Sequence, residues 1–332
     1  MKLGKYEMNT GKSVFIVAEG GINHNGDIEI AKEMIESASK CGVDAIKFQT
    51  IIPEELFSHT LNPELFDFAK KVSFTKKQHL ELMKYSQKNG IEFFSTPLGK
   101  KSAKLLQNIG VKYIKIASGE ITNHELIQFV AEMKLPMIIS TGMTTISEIA
   151  SVVEIVKNKN CPFVLLHCNA SYPTPIEDVN LVNIRYLREV FNIPIGYSDH
   201  TIGNEICLAA VSIGARIIEK HFTLDKHMDG PDQKLSADKK DFTELVSKIR
   251  LIERSLGEYR TRPTKSEEKF KKLMRKSIGS SIDISSGTKI KKSMLCLFRP
   301  GTGISPTLID NLIGITAKKD VKKGTLLSWD MF

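Results

Sequence analysis

Cysteine is scarce in this chain and unpatterned. Cys41, Cys161, Cys168, Cys207 and Cys296 are odd in number and widely spaced, with no Cys-x-x-Cys pair. Neither a disulfide framework nor a zinc knuckle is indicated, and a reducing cytoplasm is the expected compartment. A long apolar run is also missing. Val14–Ala18 is far shorter than the roughly 7–15 residues of a signal-peptide core or the about 20 of a membrane span, so neither export by that route nor a membrane is expected. Aromatic residues make up only 7% of the chain, and the lysines behind its net charge of +9 are scattered among acids. Without a basic stripe carrying stacking residues, nucleic acid is not an expected partner; a solvated lysine-rich surface is, and it is compatible with an anionic small substrate. The glycines of Gly20-Gly21-Ile-Asn-His-Asn-Gly26 lack the spacing of a dinucleotide-binding turn. No internal repeat stands out.

What is present is an alternation of short apolar runs with longer amphipathic ones. Strands are expected at Val14–Ala18, Ala45–Phe48, Glu92–Ser95, Tyr113–Ala117, Met137–Ser140, Phe163–His167, Ile193–Gly196 and Arg216–Glu219. Helices are expected at Ile28–Lys40, Thr75–Asn89, Ser102–Ile109, Glu125–Lys134, Ile146–Lys157, Glu205–Ile213 and Lys239–Leu256. About eight β–α units close a (β/α)₈ barrel, the TIM-barrel class, more readily than they fill an open doubly wound sheet. With 332 residues the chain exceeds one ordinary barrel of about 250. The expected division is a barrel over 1–256, a linker with an exposed helix over 257–276, and a small β-rich domain over 277–332.

Chemistry concentrates where the strands end. His200 closes Ile195-Gly-Tyr-Ser-Asp-His, and His221 closes Arg216-Ile-Ile-Glu-Lys-His. At equivalent heights on consecutive parallel strands, two imidazoles converge on one divalent cation above the barrel mouth. Asp232, in the Gly230-Pro-Asp loop, is placed to add a carboxylate there. Polar residues recur at the other strand ends: Glu19, Asn23 and His24; Lys47 and Gln49; Thr96; Lys115, Ser118 and Glu120; Ser140 and Thr141; Asn169, Ser171 and Tyr172. Lys47 and Lys115 each interrupt an apolar strand, where an unpaired ammonium costs several kcal/mol. Two readings follow: pairing with Glu19 or Glu120, or, preferred, a bound phosphate held also by the hydroxyls of Ser118, Thr96 and Ser198.

These motifs together carry a resemblance. Ala18-Glu-Gly-Gly-Ile-Asn-His-Asn-Gly-Asp27, Lys47-Phe-Gln-Thr50, Phe94-Ser-Thr-Pro97, Lys115-Ile-Ala-Ser-Gly-Glu120, Ser140-Thr-Gly142, Tyr172-Pro-Thr-Pro175, Gly196-Tyr-Ser-Asp-His-Thr201 and Glu219-Lys-His-Phe222 resemble the sialic acid (nonulosonic acid) synthase family. The tail from Arg275, with Phe298-Arg-Pro-Gly-Thr-Gly303, is similar to that family's antifreeze-like (SAF) domain. The resemblance implies condensation of phosphoenolpyruvate with the open-chain aldehyde of an N-acylated mannosamine-type sugar, giving a nine-carbon 2-keto sugar acid and phosphate. It implies a divalent metal, Mn²⁺ or Mg²⁺, on His200 and His221, and phosphoenolpyruvate on Lys47, Thr96, Lys115, Ser118 and Ser198. Gln49, Glu120, Tyr172 and Asp232 fall on the acceptor side, and Glu19 between the two substrates as the proton-transfer group. Arg299 matches a tail arginine that reaches the acceptor's acyl group in the partner subunit, which implies a domain-swapped homodimer. Ala170 departs from the pattern, standing where relatives commonly place a polar residue.

The implied mechanism has the cation polarise the sugar aldehyde while the methylene carbon of phosphoenolpyruvate attacks it, with Lys47 and Lys115 neutralising phosphate charge. Water then adds at the oxocarbenium centre and phosphate leaves. Three other readings stand beside this one. A synthase using a sugar-phosphate acceptor needs a second anion clamp, which the strand ends do not supply. A pseudaminic acid synthase takes an acceptor that differs at sugar carbons read by loops such as Phe57–Phe74 and Gly230–Ala237. An ice-binding or interaction module on a barrel scaffold sits poorly with a tail crowded by Lys289, Lys291, Lys292, Lys318, Lys319, Lys322 and Lys323.

Overall fold

The computed structural model describes residues 2–8 and 13–332. The chain forms two compact units, one ending at Gly257 and the other spanning Glu258–Phe332.

The first unit is a closed barrel of eight parallel strands. Numbered around the barrel, they are β1 (Phe15–Gly21), β2 (Ala45–Thr50), β3 (Glu92–Pro97), β4 (Ile114–Ile116), β5 (Met137–Ser140), β6 (Phe163–Cys168), β7 (Ile195–Asp199) and β8 (Ile217–His221). Each is followed by a main helix: α1 (Ile28–Lys40), α2 (Lys76–Lys88), α3 (Lys100–Ile109), α4 (His124–Glu132), α5 (Ile146–Asn158), α6 (Asn183–Phe191), α7 (Glu205–Ser212) and α8 (Lys239–Leu256). Several observed strands run past the expected ends, because polar residues at their carboxyl ends still keep the ladder hydrogen bonds. β8 thus continues through Lys220 to His221, in register with Lys220↔Ala18 and His221↔Glu19. The helix α6 is an addition to the expected elements; it buries Ile184, Leu187 and Phe191 on one face but starts without a side-chain cap at Val182. The stretch Phe57–Phe74, read above as a loop, contains a helix at Pro63–Val72.

Helix starts follow their caps. Asp27 accepts from Glu29 N and Ile30 N ahead of α1, and Thr75, Thr145 and Asp238 form reciprocal capping boxes ahead of α2, α5 and α8. Helix α1 buries Ala31, Met34, Ile35 and Ala38, one face at helical spacing, against the outside of the sheet. Each large apolar side chain so buried contributes roughly 1.5–3 kcal/mol.

Strand alternation decides the barrel's inside. Phe15, Val17, Ala45, Phe94, Ile138, Val164, Leu166 and Ile217 form a second, interior apolar cluster, while Ile16, Ala18, Ile46 and Ile218 join the larger cluster that includes the helices. Gly196 lies where the interior leaves no room for a side chain: a Cβ there would stand 2.5 Å from Leu166 Cδ2 and 2.7 Å from Ile217 Cβ. One inward position further along each strand, the apolar filling stops. Glu19, Lys47, Thr96, Lys115, Ser140, Cys168, Ser198 and Glu219 replace it.

The second unit contains α9 (Lys265–Met274) and the antiparallel pair β9 (Ser277–Ser280) and β10 (Leu295–Phe298) around its own apolar cluster of Ile278, Ile284, Ile290, Ile304, Leu312 and Leu327. Lys272 O accepts from Gly301 N at 2.7 Å, so α9 is hydrogen-bonded to the tail that follows it. Among the described residues, no helix is long and apolar enough to cross a membrane.

Candidate active site

A cavity of about 320 Å³ opens at the carboxyl ends of the barrel strands. Residues singled out from the sequence line it: Glu19, Lys47, Gln49, Thr96, Lys115, Ser118, Ser140, Tyr172, Ser198, His200, His221 and Asp232. Two-residue alternation on parallel strands puts them there. Ser198 and His200 project from one strand and its end, Glu219 and His221 from the next, with Ser198 in register beside Glu219.

The floor is a buried cluster of two lysines and two glutamates. Lys47 Nζ lies 2.5 Å from Glu19 Oε2 and 3.8 Å from Glu219 Oε2, and Lys115 Nζ lies 3.7 Å from Glu219 Oε1. The pairing alternative is therefore realised, but with Glu219 in place of Glu120. The lysines also donate to hydroxyls: Lys47 to Thr96 Oγ1 at 3.2 Å, and Lys115 to Ser140 Oγ at 2.7 Å. Ser198 Oγ donates to Glu219 Oε1 at 3.0 Å, and Gly142 N donates to Ser118 Oγ at 2.9 Å.

The two carboxyls are pushed apart. Burial drives Glu19 up to about 7, more than Lys47 recovers, and the neighbouring Glu219 adds to the rise. Burial also pushes Glu219 up, but Lys115, Lys47 and the Ser198 hydroxyl outweigh it and hold it below the usual carboxylate range. Lys115 is depressed by burial, whereas Lys47 is raised because Glu19 and Glu219 more than offset its burial. One carboxyl near neutrality beside another that stays ionised is an arrangement suited to proton transfer.

Above this floor stand the histidines, ring centroids 5.3 Å apart. His200 Nδ1 donates to Asn169 O at 2.6 Å, which leaves Nε2 with a free lone pair. His221 Nδ1 is buried with no hydrogen-bond partner, 3.8 Å from Asp232 Oδ2. Burial depresses both imidazoles, His221 the more because His200, Lys47, Lys220 and Lys115 add like charge. Both are thus held neutral, the form that ligates metals. Among the described residues no group of three or more His, Cys, Asp or Glu side chains could hold a metal ion. The pair fits a cation that takes two imidazole nitrogens and completes its shell with water or substrate oxygens. Tyr172, half exposed, covers His200 at 4.1 Å between ring centroids.

Not every expected residue joins the site. Glu120 lies in a short turn, Ser118–Glu120, outside the cavity lining, and accepts from Asn123 Nδ2 at 2.7 Å. Arg299, expected to serve a partner subunit's site and not that of its own chain, is exposed within the second unit, with Nε donating to Met274 O at 2.9 Å. Asn23 braces the scaffold, donating to Phe222 O and Ser236 Oγ. Ala170 does line the cavity, offering no polar side-chain group. Conversely, Glu219 was read from the sequence only as a neighbour of His221. The signal for it was its place two residues before that histidine, which puts both side chains on one face of the strand.

The outward neighbours of these residues are locked just as firmly. Lys220 Nζ lies 2.5 Å from Asp199 Oδ2 and donates to Thr201 O at 2.7 Å. Asp199 also accepts from Tyr197 Oη, Thr201 N and Oγ1, and Cys207 Sγ. This pair ties the carboxyl ends of β7 and β8 together directly behind the two histidines.

Residues 34–261 match the NeuB family, and residues 277–332 match the SAF domain. The chain is 40% identical to an N,N'-diacetyllegionaminic acid synthase of Legionella pneumophila, over 95% of this chain and 94% of that one. It is 36% identical to a pseudaminic acid synthase of Campylobacter jejuni, over 98% of each. The crystal structure of N-acetylneuraminic acid (sialic acid) synthetase from Leptospira borgpetersenii superposes with a TM-score of 0.77 at 42% identity, covering 81% of this chain and 94% of that one. With barrel, cavity and tail all accounted for, the chain belongs to the NeuB family and carries a SAF domain at its carboxyl end.

Proposed function

We propose that the protein condenses phosphoenolpyruvate with an N-acylated mannosamine-type sugar to give a nine-carbon 2-keto sugar acid and phosphate. The observation that carries this reading is the buried Lys47–Lys115 pair beneath two neutral, partner-seeking histidines in one cavity. The lysines, with Thr96, Ser118 and Ser198, hold the phosphate and carboxylate of phosphoenolpyruvate. Glu19, tuned towards neutrality, moves the proton, while Glu219, held below the usual carboxylate range, lies beside both ammonium groups and offsets their charge. A divalent cation, Mn²⁺ or Mg²⁺, on His200 and His221 supplies Lewis-acid chemistry for an aldehyde oxygen. Gln49, Tyr172 and Asp232 face the sugar. Arg299, reaching the acyl group from a partner subunit, makes a domain-swapped homodimer part of the proposal.

Among the described lining residues, Lys47 and Lys115 are the cations, and both are taken by the phosphoenolpyruvate side. A second phosphate on the acceptor has no clamp there, which favours a neutral sugar. Identities of 40% to the legionaminic synthase and 42% to the sialic acid synthetase, against 36% to the pseudaminic one, support the 2,4-diacetamido-trideoxy mannose and N-acetylmannosamine acceptors ahead of the altrose-type sugar. The test is phosphate release from phosphoenolpyruvate and Mn²⁺ with these two sugars and the altrose-type precursor of pseudaminic acid in turn. Release with a manno-configured sugar is expected. Release only with the altrose-type sugar, or only with a sugar phosphate, would replace the acceptor assignment.

A further inference from the structure

A second cavity, of about 460 Å³, opens at the opposite end of the barrel. Its place follows from its residues: Arg216 immediately precedes β8, with its carbonyl accepting from Phe15 N and its N–H donating to Ile195 O, and Ile193 and Pro194 precede β7. This is the amino-terminal face of the strands, remote from the histidines. Met8, Ile193 and Pro194 form an apolar wall.

The opposite wall carries two guanidinium groups. Arg188 and Asn192 lie one turn apart at the end of α6, Asn192 N donating to Arg188 O at 2.9 Å. The Arg188 guanidinium lies on the backbone of Gly214 so closely that a Cβ there would stand 2.5 Å from Nη1. Gly214 has φ +107°, a backbone conformation that favours glycine whatever the arginine does. Two residues on, Arg216 has Nη2 buried without a hydrogen-bond partner. Burial depresses its guanidinium, Glu253 acts to raise it, and the like charge of Arg188 depresses it further. Glu253 does not pair with it: Glu253 Oε1 is taken by Val14 N and Arg250 Nη1. Two like charges are thus held together over a cavity with an unmet donor, and among the described residues no carboxylate forms an ion pair with either guanidinium.

We propose that this cavity binds a phosphate-bearing small molecule, with Arg188 and Arg216 clamping the phosphate and the apolar wall receiving the remainder. A phosphate monoester carries a charge of about −1.5 to −2, which matches two guanidinium groups as a single carboxylate does not, and the planar forks suit its oxygens. The volume lies within the roughly 300–1,000 Å³ of small-molecule sites, larger than free phosphate needs. The site does no chemistry on its ligand, since the barrel's catalytic groups are all at the other end.

The experiment is calorimetric titration of the full chain with inorganic phosphate and with glucose 6-phosphate. It is repeated in a Lys115→Met background, where phosphate binding in the catalytic cavity is weakened and the second site is read alone. Glucose 6-phosphate is expected to bind that background at one equivalent and more tightly than inorganic phosphate. Arg188→Gln should weaken it about tenfold while leaving kcat/KM of the otherwise unaltered enzyme within about twofold. Arg188 is exposed, so that variant is expected to fold; Arg216→Gln, part-buried, is the second variant. Tungstate soaked into crystals of the unaltered chain should give anomalous density between the two guanidinium groups. No binding in the Lys115→Met background together with no tungstate there, or equal affinity in Arg188→Gln, would overturn the proposal. Glucose 6-phosphate binding no tighter than inorganic phosphate would overturn its small-molecule part.

Discussion

Glu19 and Lys47 face each other at the same height on neighbouring parallel strands, Oε2 to Nζ at 2.5 Å, both almost fully buried at the base of the cavity. The carboxyl is the group that burial pushes towards neutrality, and the ammonium is the one its two glutamates keep charged. Lys47→Met should lower kcat/KM for phosphoenolpyruvate by about 10²–10³, the cost of removing one preorganised charge donor. Glu19→Gln keeps the volume and removes the proton; a loss in kcat of about 10²–10⁴ is expected. Steady-state phosphate release measures both, and a Glu19→Gln enzyme with full kcat would remove the carboxyl from proton transfer.

His200→Ala and His221→Ala should each abolish Mn²⁺ binding seen by electron paramagnetic resonance, and with it turnover. The prediction rests on an imidazole nitrogen left buried and unpartnered on His221 and on a His200 ring oriented by Asn169 O. Turnover unaffected by a chelator, with either histidine replaced, would exclude the pair as ligands.

Behind the histidines, Lys220 and Asp199 are a buried ion pair whose carboxylate has four further hydrogen bonds. Removing one partner strands a charge in the wall of the barrel, so Lys220→Met should cost about 3–5 kcal/mol of unfolding free energy. The double variant Lys220→Met/Asp199→Leu should cost less than the two single losses added together. Urea unfolding followed by circular dichroism provides the comparison; strict additivity would show that the pair is not coupled.

His24 gives the fold an acid-sensitive point away from catalysis. Its Nδ1 accepts from Gly26 N at 3.0 Å, its Nε2 is buried without a partner, and its ring stacks on Phe74 at 4.1 Å. Burial, with His79 adding to it, lowers the imidazole to about 3. Between the unfolded value near 6.5 and about 3, the unfolded chain therefore binds the extra proton and the folded chain does not. Stability is fully present above about pH 6.5 and falls on acidification through that window, by up to about 1.4 kcal/mol per pH unit from this group. His24→Gln should flatten the slope of unfolding free energy between pH 6.5 and 4; an unchanged slope would place the acid sensitivity elsewhere.

The barrel was legible because its code is local. Eight apolar runs, each followed by an amphipathic one, specify β–α units, and a period of two along a strand tells which residues share a face. From the same periodicity came the histidine pair and the lysines, whose interruption of apolar strands has no bland explanation without a counter-charge. Helix α6 is short, nine residues, and has no side-chain cap at Val182 to mark its beginning, although it buries a clear apolar face of Ile184, Leu187 and Phe191. What only the tertiary structure decided is which charges meet. Glu219 and Glu19 stand 200 residues apart in the chain, yet closure of β8 onto β1 brings both to Lys47, while Glu120, five residues from Lys115, turns away to Asn123. Local sequence sets the direction of a side chain relative to its own strand; ring closure alone sets its neighbours across the barrel, and electrostatics depends on the neighbours.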